Sequence, residues 1–209
     1  VFLIEDCRLL GLTLLPPSVN QSDFQFRAAS ADTIVYGLGA IKGVGEGAME
    51  SVMKARQFGG RFRDVFDFCQ RIDLRKANKR TLEALIKAGE LDCFSLDRAE
   101  MMAQLPDAIQ AAAQARNNRE SGMMDLFGEV EEIQRPVSRI PLVWSDEERL
   151  QGEKDTLGLY LTGHPMDVYS DELSRFVPAR LNAIAATRRG STTVIAGIVM
   201  DVAQFPGRV

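Results

Sequence analysis

Histidine occurs once in the 209 residues of this chain, and its three cysteines, Cys7, Cys69 and Cys93, are odd in number and far apart. No Cys-x-x-Cys pair is present, so neither a zinc site nor a disulfide framework is indicated. Reduced thiols in a cytoplasm fit best. Long apolar runs are missing: none approaches the ~18 residues of a membrane span. The first residues, Val1 to Gly11, lack the basic flank and small-residue cleavage site of a signal peptide. They open without Met, as an excised piece would. Catalytic motifs are missing as well. There is no P-loop, no Gly-x-Ser-x-Gly, no His-Glu-x-x-His and no paired-carboxylate motif, so an independent active site, metal or cofactor is not expected. His164, in Gly-His-Pro, reads as a helix-terminus residue.

What is there resembles a soluble globular protein: 45% apolar and 26% charged residues. The net charge of −4 argues against nucleic acid only if it is spread evenly. It is not. Residues 54–89 carry ten Lys/Arg against four Asp/Glu, residues 120–172 carry thirteen acids against four bases, and residues 173–209 are basic again. A basic block beside an acidic one predicts two different surfaces.

The pattern along the chain is mainly helical. Asp6 to Leu10 closes a helix with Gly11 behind it, and Leu12 to Leu15 reads extended before Pro16-Pro17. Apolar residues 34–38 lead to Ile41-Lys42-Gly43-Val44-Gly45. A helix follows with Ala48, Met49, Val52, Met53 and Ala55 on one face, ended by Gly59-Gly60. Phe62, Val65, Phe66, Cys69 and Ile72 form another helical face. Asn78 is an N-cap for a helix ending at Gly89. Residues 97–118 are helical, with Pro106 either kinking the stretch or opening its second half. Residues 119–143 keep no period and read as an exposed loop. Ser145 and Glu148 form a capping box for a helix expected to stop near Gly163 and Pro165. A short helix around 171–176 follows. Thr192 to Met200 is strand-like and apolar on both faces. One strand cannot stand alone, so residues from about 190 read as the truncated start of a β domain.

Three stretches could carry binding. Gly43-Val44-Gly45 lies between apolar stretches read as helical, the helix-hairpin-helix pattern. Its glycines permit a tight turn that leaves the first N–H groups of the second helix unpaired. Such donors, with the helix dipole, hold a phosphate oxygen without reading bases. Lys42 before the turn, and Lys54 and Arg56 at the helix end, add charge. Lys87 to Leu91, with Gly89 alone, is a candidate second and degenerate hairpin, or only a C-cap. The short apolar knot Met123-Met124-Asp125-Leu126-Phe127 reads either as a loop anchor or as a linear docking motif, with Leu126 and Phe127 filling a partner's pocket.

Together these stretches resemble the family of bacterial replicative DNA polymerase III alpha subunits, the C-family polymerases. Cys7 to Gly11 and Leu15-Pro16-Pro17-Ser18-Val19-Asn20 resemble the end of its fingers region. Residues 36–45 resemble its helix-hairpin-helix, and residues 85–92 the degenerate second hairpin. Leu157 to Pro165 resembles a characteristic stretch before its OB domain. The resemblance implies a fragment of the C-terminal half: the end of the fingers over 1–30, the clamp-binding domain over 31–189, and the first strand of an OB-fold barrel over 190–209. It implies duplex (primer-template) DNA and the beta sliding clamp as partners. Other replicase subunits would be reached through regions absent here, and no membrane is involved. The residues it assigns to DNA are Lys42, Gly43, Val44, Gly45, Lys54, Arg56, Lys87 and Gly89; those it assigns to the clamp are Met123, Met124, Asp125, Leu126 and Phe127. Met123 stands where the family's clamp motif has Gln. The palm aspartates and their magnesium have no counterpart, so the parent is a polymerase and this piece is expected to be inactive alone. Two alternatives remain open: a helix-hairpin-helix glycosylase, against which Glu46 and Gly47 after the turn count, and a pure protein-interaction scaffold.

Overall fold

A computed structural model describes residues 6–7, 9–120, 142–177 and 192–199, the side chains of 119 and 120 excepted. The chain divides into two compact units, Val1–Thr162 and Gly163–Val209. Among its described residues the first holds a three-stranded sheet and, from Glu46 on, five helices. Strand β1 is Thr13–Leu15, β2 is Arg27–Ala28 and β3 is Thr33–Val35. β3 is central, parallel to β1 (Leu14 opposite Ile34) and antiparallel to β2 (Ala28 opposite Ile34). Gly11, at φ +75°, turns the chain into β1 as expected.

The sheet corrects the reading of the stretch before the glycine turn. Residues 34–35 are strand, and only one 3-10 turn, Leu38–Ala40, precedes Gly43. The reason is backbone pairing. Leu38 and Gly39 donate their N–H groups to Asp23 and Phe24 at 2.9 Å. The chain passes so close that a Cβ on Gly37 would stand 2.5 Å from the Gln25 carbonyl carbon. A helix could form only by giving up those bonds.

The helices follow the apolar spacing. They are α1 (Glu46–Gly59), α2 (Val65–Arg71), α3 (Lys79–Ala88), α4 (Arg98–Glu120) and α5 (Asp146–Leu157). Asp64 caps α2 and Asn78 caps α3, each accepting from the N–H three residues on. Gly89 closes α3 in the left-handed region. Pro106 lies inside α4, which runs through it as one helix. The faces of α1 to α4 meet in one core through Met49, Val52, Phe68, Leu82, Leu85, Met101 and Leu105, all fully buried or nearly so. Phe62 and Phe68 pack edge to face at 4.9 Å.

Helix α5 has the expected capping box at Ser145 and Glu148 but ends at Leu157, short of Gly163. Gly158, at φ +77°, stops it. The buried Glu153 carboxylate then accepts from the N–H groups of Leu161 and Thr162 at 2.8 and 3.0 Å, folding the chain back. In the second unit, α6 (Ser170–Phe176) is the predicted short helix. His164 lies just ahead of a 3-10 turn, its N–H bonded to Asp167 at 2.7 Å. Residues 192–199 are exposed and form no strand. A β-segment is defined by its ladder, and none of the described residues pairs with this one.

Candidate nucleic-acid interface

The Gly43–Gly45 turn is held from behind and bare in front. Behind it, the Thr81 hydroxyl on α3 donates to the Gly43 carbonyl at 3.3 Å. The Lys42 N–H donates to the Thr156 carbonyl at the end of α5, at 2.9 Å. Val44 packs its side chain against the core, so the apolar residue between the glycines anchors the turn. In front, a Cβ on either glycine would meet nothing within 4 Å.

The two glycines differ in what they require. Gly43 sits at φ +82°, where a side chain is strained. Gly45 is the N-cap of α1 with φ −83° and ψ 154°, a conformation open to any residue. Nothing inside the protein calls for glycine there, and Ser, Asp or Asn would cap the helix better. Ala48 and Met49 donate to the Gly45 carbonyl. The N–H groups of Glu46 and Gly47 precede any intrahelical acceptor and face outward along the axis. The turn therefore presents backbone donors at the positive end of a 14-residue helix, with no side chain on either glycine in the way of an approaching oxyanion.

The charge around the turn comes partly from residues distant from it in sequence. Lys42 is exposed beside it. The stem of Lys76 lies 3.9 Å from where a Cβ on Gly47 would stand. Lys79 and Arg80, exposed in the first turn of α3, precede the Thr81 that holds Gly43. No local pattern ties Lys76 to Gly47; only the return of the α2–α3 connection along α1 brings them together. Glu50 faces the same cations: Lys54, then Lys76, hold its carboxyl below the usual range.

The other predicted residues lie apart from the turn. Lys54 is nine residues beyond Gly45, about 13 Å along the helix, exposed and bonded to Glu50 at 2.7 Å. Arg56 points inward, donating to the carbonyls of Val19 and Ser22 at 3.0 and 2.8 Å and to Asp23 at 3.3 Å. It fastens α1 to the loop before β2. Lys87 and Gly89 belong to a closed turn. The Arg98 guanidinium occupies the space over Gly89, so a Cβ there would stand 2.2 Å from Nη2. Arg98 donates to the Lys87 carbonyl, to Asp92 and to Glu153. Burial works against its charge, yet Asp92 and then Glu153 keep it firmly protonated. This turn is filled by its own protein.

The Met123 to Phe127 motif lies outside the described residues. Among the described residues no three His, Cys, Asp or Glu side chains gather as a metal site, and no helix is long and apolar enough to cross a membrane.

The family of the helix-hairpin-helix motif matches residues 11–101. Proteins named DNA polymerase III subunit alpha match nearly the whole chain. The one from Vibrio cholerae is 47% identical over 204 residues, covering 96% of this chain and 18% of its own length. The one from Pseudomonas aeruginosa is 44% identical over 225 residues, covering 97% and 19%. The one from Escherichia coli K12 is 42% identical over 205 residues, covering 96% and 18%. The chain thus spans about a fifth of the length of these curated relatives.

Proposed function

Because the chain belongs to the DNA polymerase III alpha-subunit family, we propose that it is the segment with which a cytoplasmic replicative polymerase holds duplex DNA and tethers itself to the sliding clamp, supporting processive synthesis. The observation that carries the DNA half is the bare glycine turn: outward N–H groups at Glu46 and Gly47, Lys42 and Lys76 beside them, and a glycine at position 45 that the fold does not need. Backbone donors recognise phosphate and no base, so binding is independent of sequence and falls with salt, with a log–log slope of about −0.9 per phosphate neutralised. Free Cys7, Cys69 and Cys93 suit a reducing compartment.

The test is Gly45→Asp. The new carboxylate caps α1 and so preserves the fold, yet it stands where a phosphate would bind. Duplex binding, followed by fluorescence anisotropy at fixed salt, should fall at least tenfold for every duplex sequence alike. Unchanged binding, or a changed preference among sequences, would remove the backbone-contact reading.

The clamp half rests on the sequence Met123 to Phe127. Leu126 and Phe127 supply the anchoring apolar surface, so Phe127→Ala costs about 2 kcal/mol or more. A Gln amide at 123 both donates and accepts where a thioether does little. Met123→Gln therefore gains on the order of 1 kcal/mol, about fivefold in affinity. Calorimetric titration of purified clamp decides; parent-like binding by Phe127→Ala would leave the knot a loop anchor. Catalysis belongs to the palm carboxylates and their magnesium, outside this segment. Primer extension by the 209-residue chain with magnesium and nucleotides should therefore be absent; sustained extension would overturn that assignment.

A further inference from the structure

A second basic surface lies along α1, beyond the glycine turn. The second half of α1, the end of α2, the connection that follows it and the end of α4 enclose a groove of about 730 Å3. Lys54, Arg71, Arg75, Lys76 and Arg116 line it, with a single carboxylate, Asp73. Glu50 pairs with Lys54 and Lys76 from the rim, and Arg75 pairs with Asp73 at 3.1 Å. Cations still outnumber acids. Arg71 forms the wall: it bonds Asp67 and the carbonyls of Ala55, Gly60 and Arg61 and stacks on Phe62 at 4.4 Å. The others keep their charged ends in the open.

At the end of this groove stands Phe58, 88% exposed. A large ring so placed gains nothing from the fold. Lone exposed apolar residues are ordinary on a surface, but an aromatic ring among cations is the combination by which single-stranded nucleic acid is held: stacking for an unpaired base, point charges for phosphates. Bases inside a duplex have both faces covered by their neighbours and cannot use such a ring. Lys76 belongs to both places, lining the groove and lying beside Gly47, so the groove continues from the glycine turn along α1.

We propose that this groove binds a short run of single-stranded nucleic acid, with a base stacked on Phe58 and phosphates on Lys54, Arg75, Lys76 and Arg116. This is a site distinct from the duplex contact at Gly43–Gly45 and separable from it. Charge complementarity favours nucleic acid over a protein partner, since an apolar protein surface would match Phe58 but add no negative charge to a groove where cations outnumber acids. A strand leaving the duplex would run from the turn into the groove.

The experiment is anisotropy titration of the 209-residue chain with labelled oligothymidylate and, separately, with a blunt duplex, at low and at moderate salt. Phe58 is exposed, so Phe58→Ala leaves the fold intact. It should weaken oligothymidylate binding about fivefold or more and change duplex binding less than twofold. Arg116→Gln should lower the salt slope for the single strand by about one phosphate contact. Gly45→Asp should show the reverse pattern, losing the duplex and keeping the single strand. If Gly45→Asp spares the duplex while Phe58→Ala still weakens the single strand, the hairpin reading fails and this one stands. Parent-like binding of oligothymidylate by both Phe58→Ala and Arg116→Gln would overturn the proposal and leave Phe58 as a protein contact. Equal losses for duplex and single strand with Phe58→Ala would overturn it too, by making the groove part of the duplex site.

Discussion

Gly45-Glu46 and Gly89-Glu90, two of the Gly-Glu steps in this chain, have opposite surroundings. The first opens a helix and the second follows one. A Cβ on Gly45 would meet only open space, whereas one on Gly89 would run into the Arg98 guanidinium. Glu46 is exposed at the start of α1, whereas Glu90 is wholly buried and neither of its carboxyl oxygens finds a partner. A glycine in a turn can thus answer to the inside of the protein or to something outside it. Gly89 is needed by the fold twice, for its left-handed backbone and for the room Arg98 occupies. Gly45 is needed by neither, which is why the open turn carries the binding hypothesis and the closed one does not.

The largest effect should come from breaking the closed turn at its charge. Arg98→Met leaves buried Glu153 without its counter-charge, and removing one partner of a buried pair costs about 3–5 kcal/mol. Urea denaturation measures it. Adding Glu153→Gln should recover part of the loss, because the two changes share one network. A cost below about 1 kcal/mol would mean that Arg98 fills space over Gly89 without holding it by charge.

Glu90 offers a second way in. Burial pushes its carboxyl well above the usual range, so the folded protein holds a proton there that the unfolded chain releases above its ordinary pKa. Stability therefore falls as pH rises from about 4.5 toward the folded-state value, by at most about 1.4 kcal/mol per pH unit for this one proton. Glu90→Gln should lack this decline. Parallel stability–pH curves for parent and variant would show that Glu90 ionises in the fold as it does in water.

The glycines themselves give a graded series. Gly89→Ala combines a left-handed backbone with a displaced guanidinium and should cost roughly 2 kcal/mol or more. Gly43→Ala meets only the backbone penalty, about 1 kcal/mol. Gly45→Ser should gain a few tenths of a kcal/mol by capping α1. Thermal unfolding should rank them in that order. A destabilised Gly45→Ser would mean that the fold uses this glycine after all.

Much of this contrast was invisible in the sequence. The helices α1 to α4, the caps at Asn78 and Ser145 and the stop at Gly89 follow from local spacing and side-chain chemistry, and each is where those rules put it, whereas α5 ends at Leu157, before the Gly163 that the same rules favour. The strand at 33–35 was hidden because its pairing with 13–15 and 27–28 is non-local, while Ile34-Val35 fits helix and strand alike. The inward turn of Arg56 was hidden for the same reason, since its acceptors lie in the loop at 19–23. Basic residues after a glycine turn look alike in sequence. Only folding shows that Lys76 borders the open turn while Arg98 fills the closed one.

The smallest effect, and the one that most directly separates the two turns, concerns Glu46. Its carboxylate lies in the first turn of α1, where it complements the helix dipole and contributes about 0.3–1 kcal/mol. A phosphate at the same N–H groups would feel that charge as a repulsion. Two unit charges about 4 Å apart, fully solvated as in bulk water, interact by about 1 kcal/mol. Glu46→Gln should therefore act with opposite signs on the two properties: the fold loses a few tenths of a kcal/mol, and duplex affinity rises about two- to fivefold. The gain should shrink with added salt, because exposed charges are screened over about 10 Å at 0.1 M. Thermal unfolding and duplex anisotropy on the same preparation read both signs. If affinity is unchanged while stability falls, no phosphate sits at the start of α1, and the open glycine turn is only a turn.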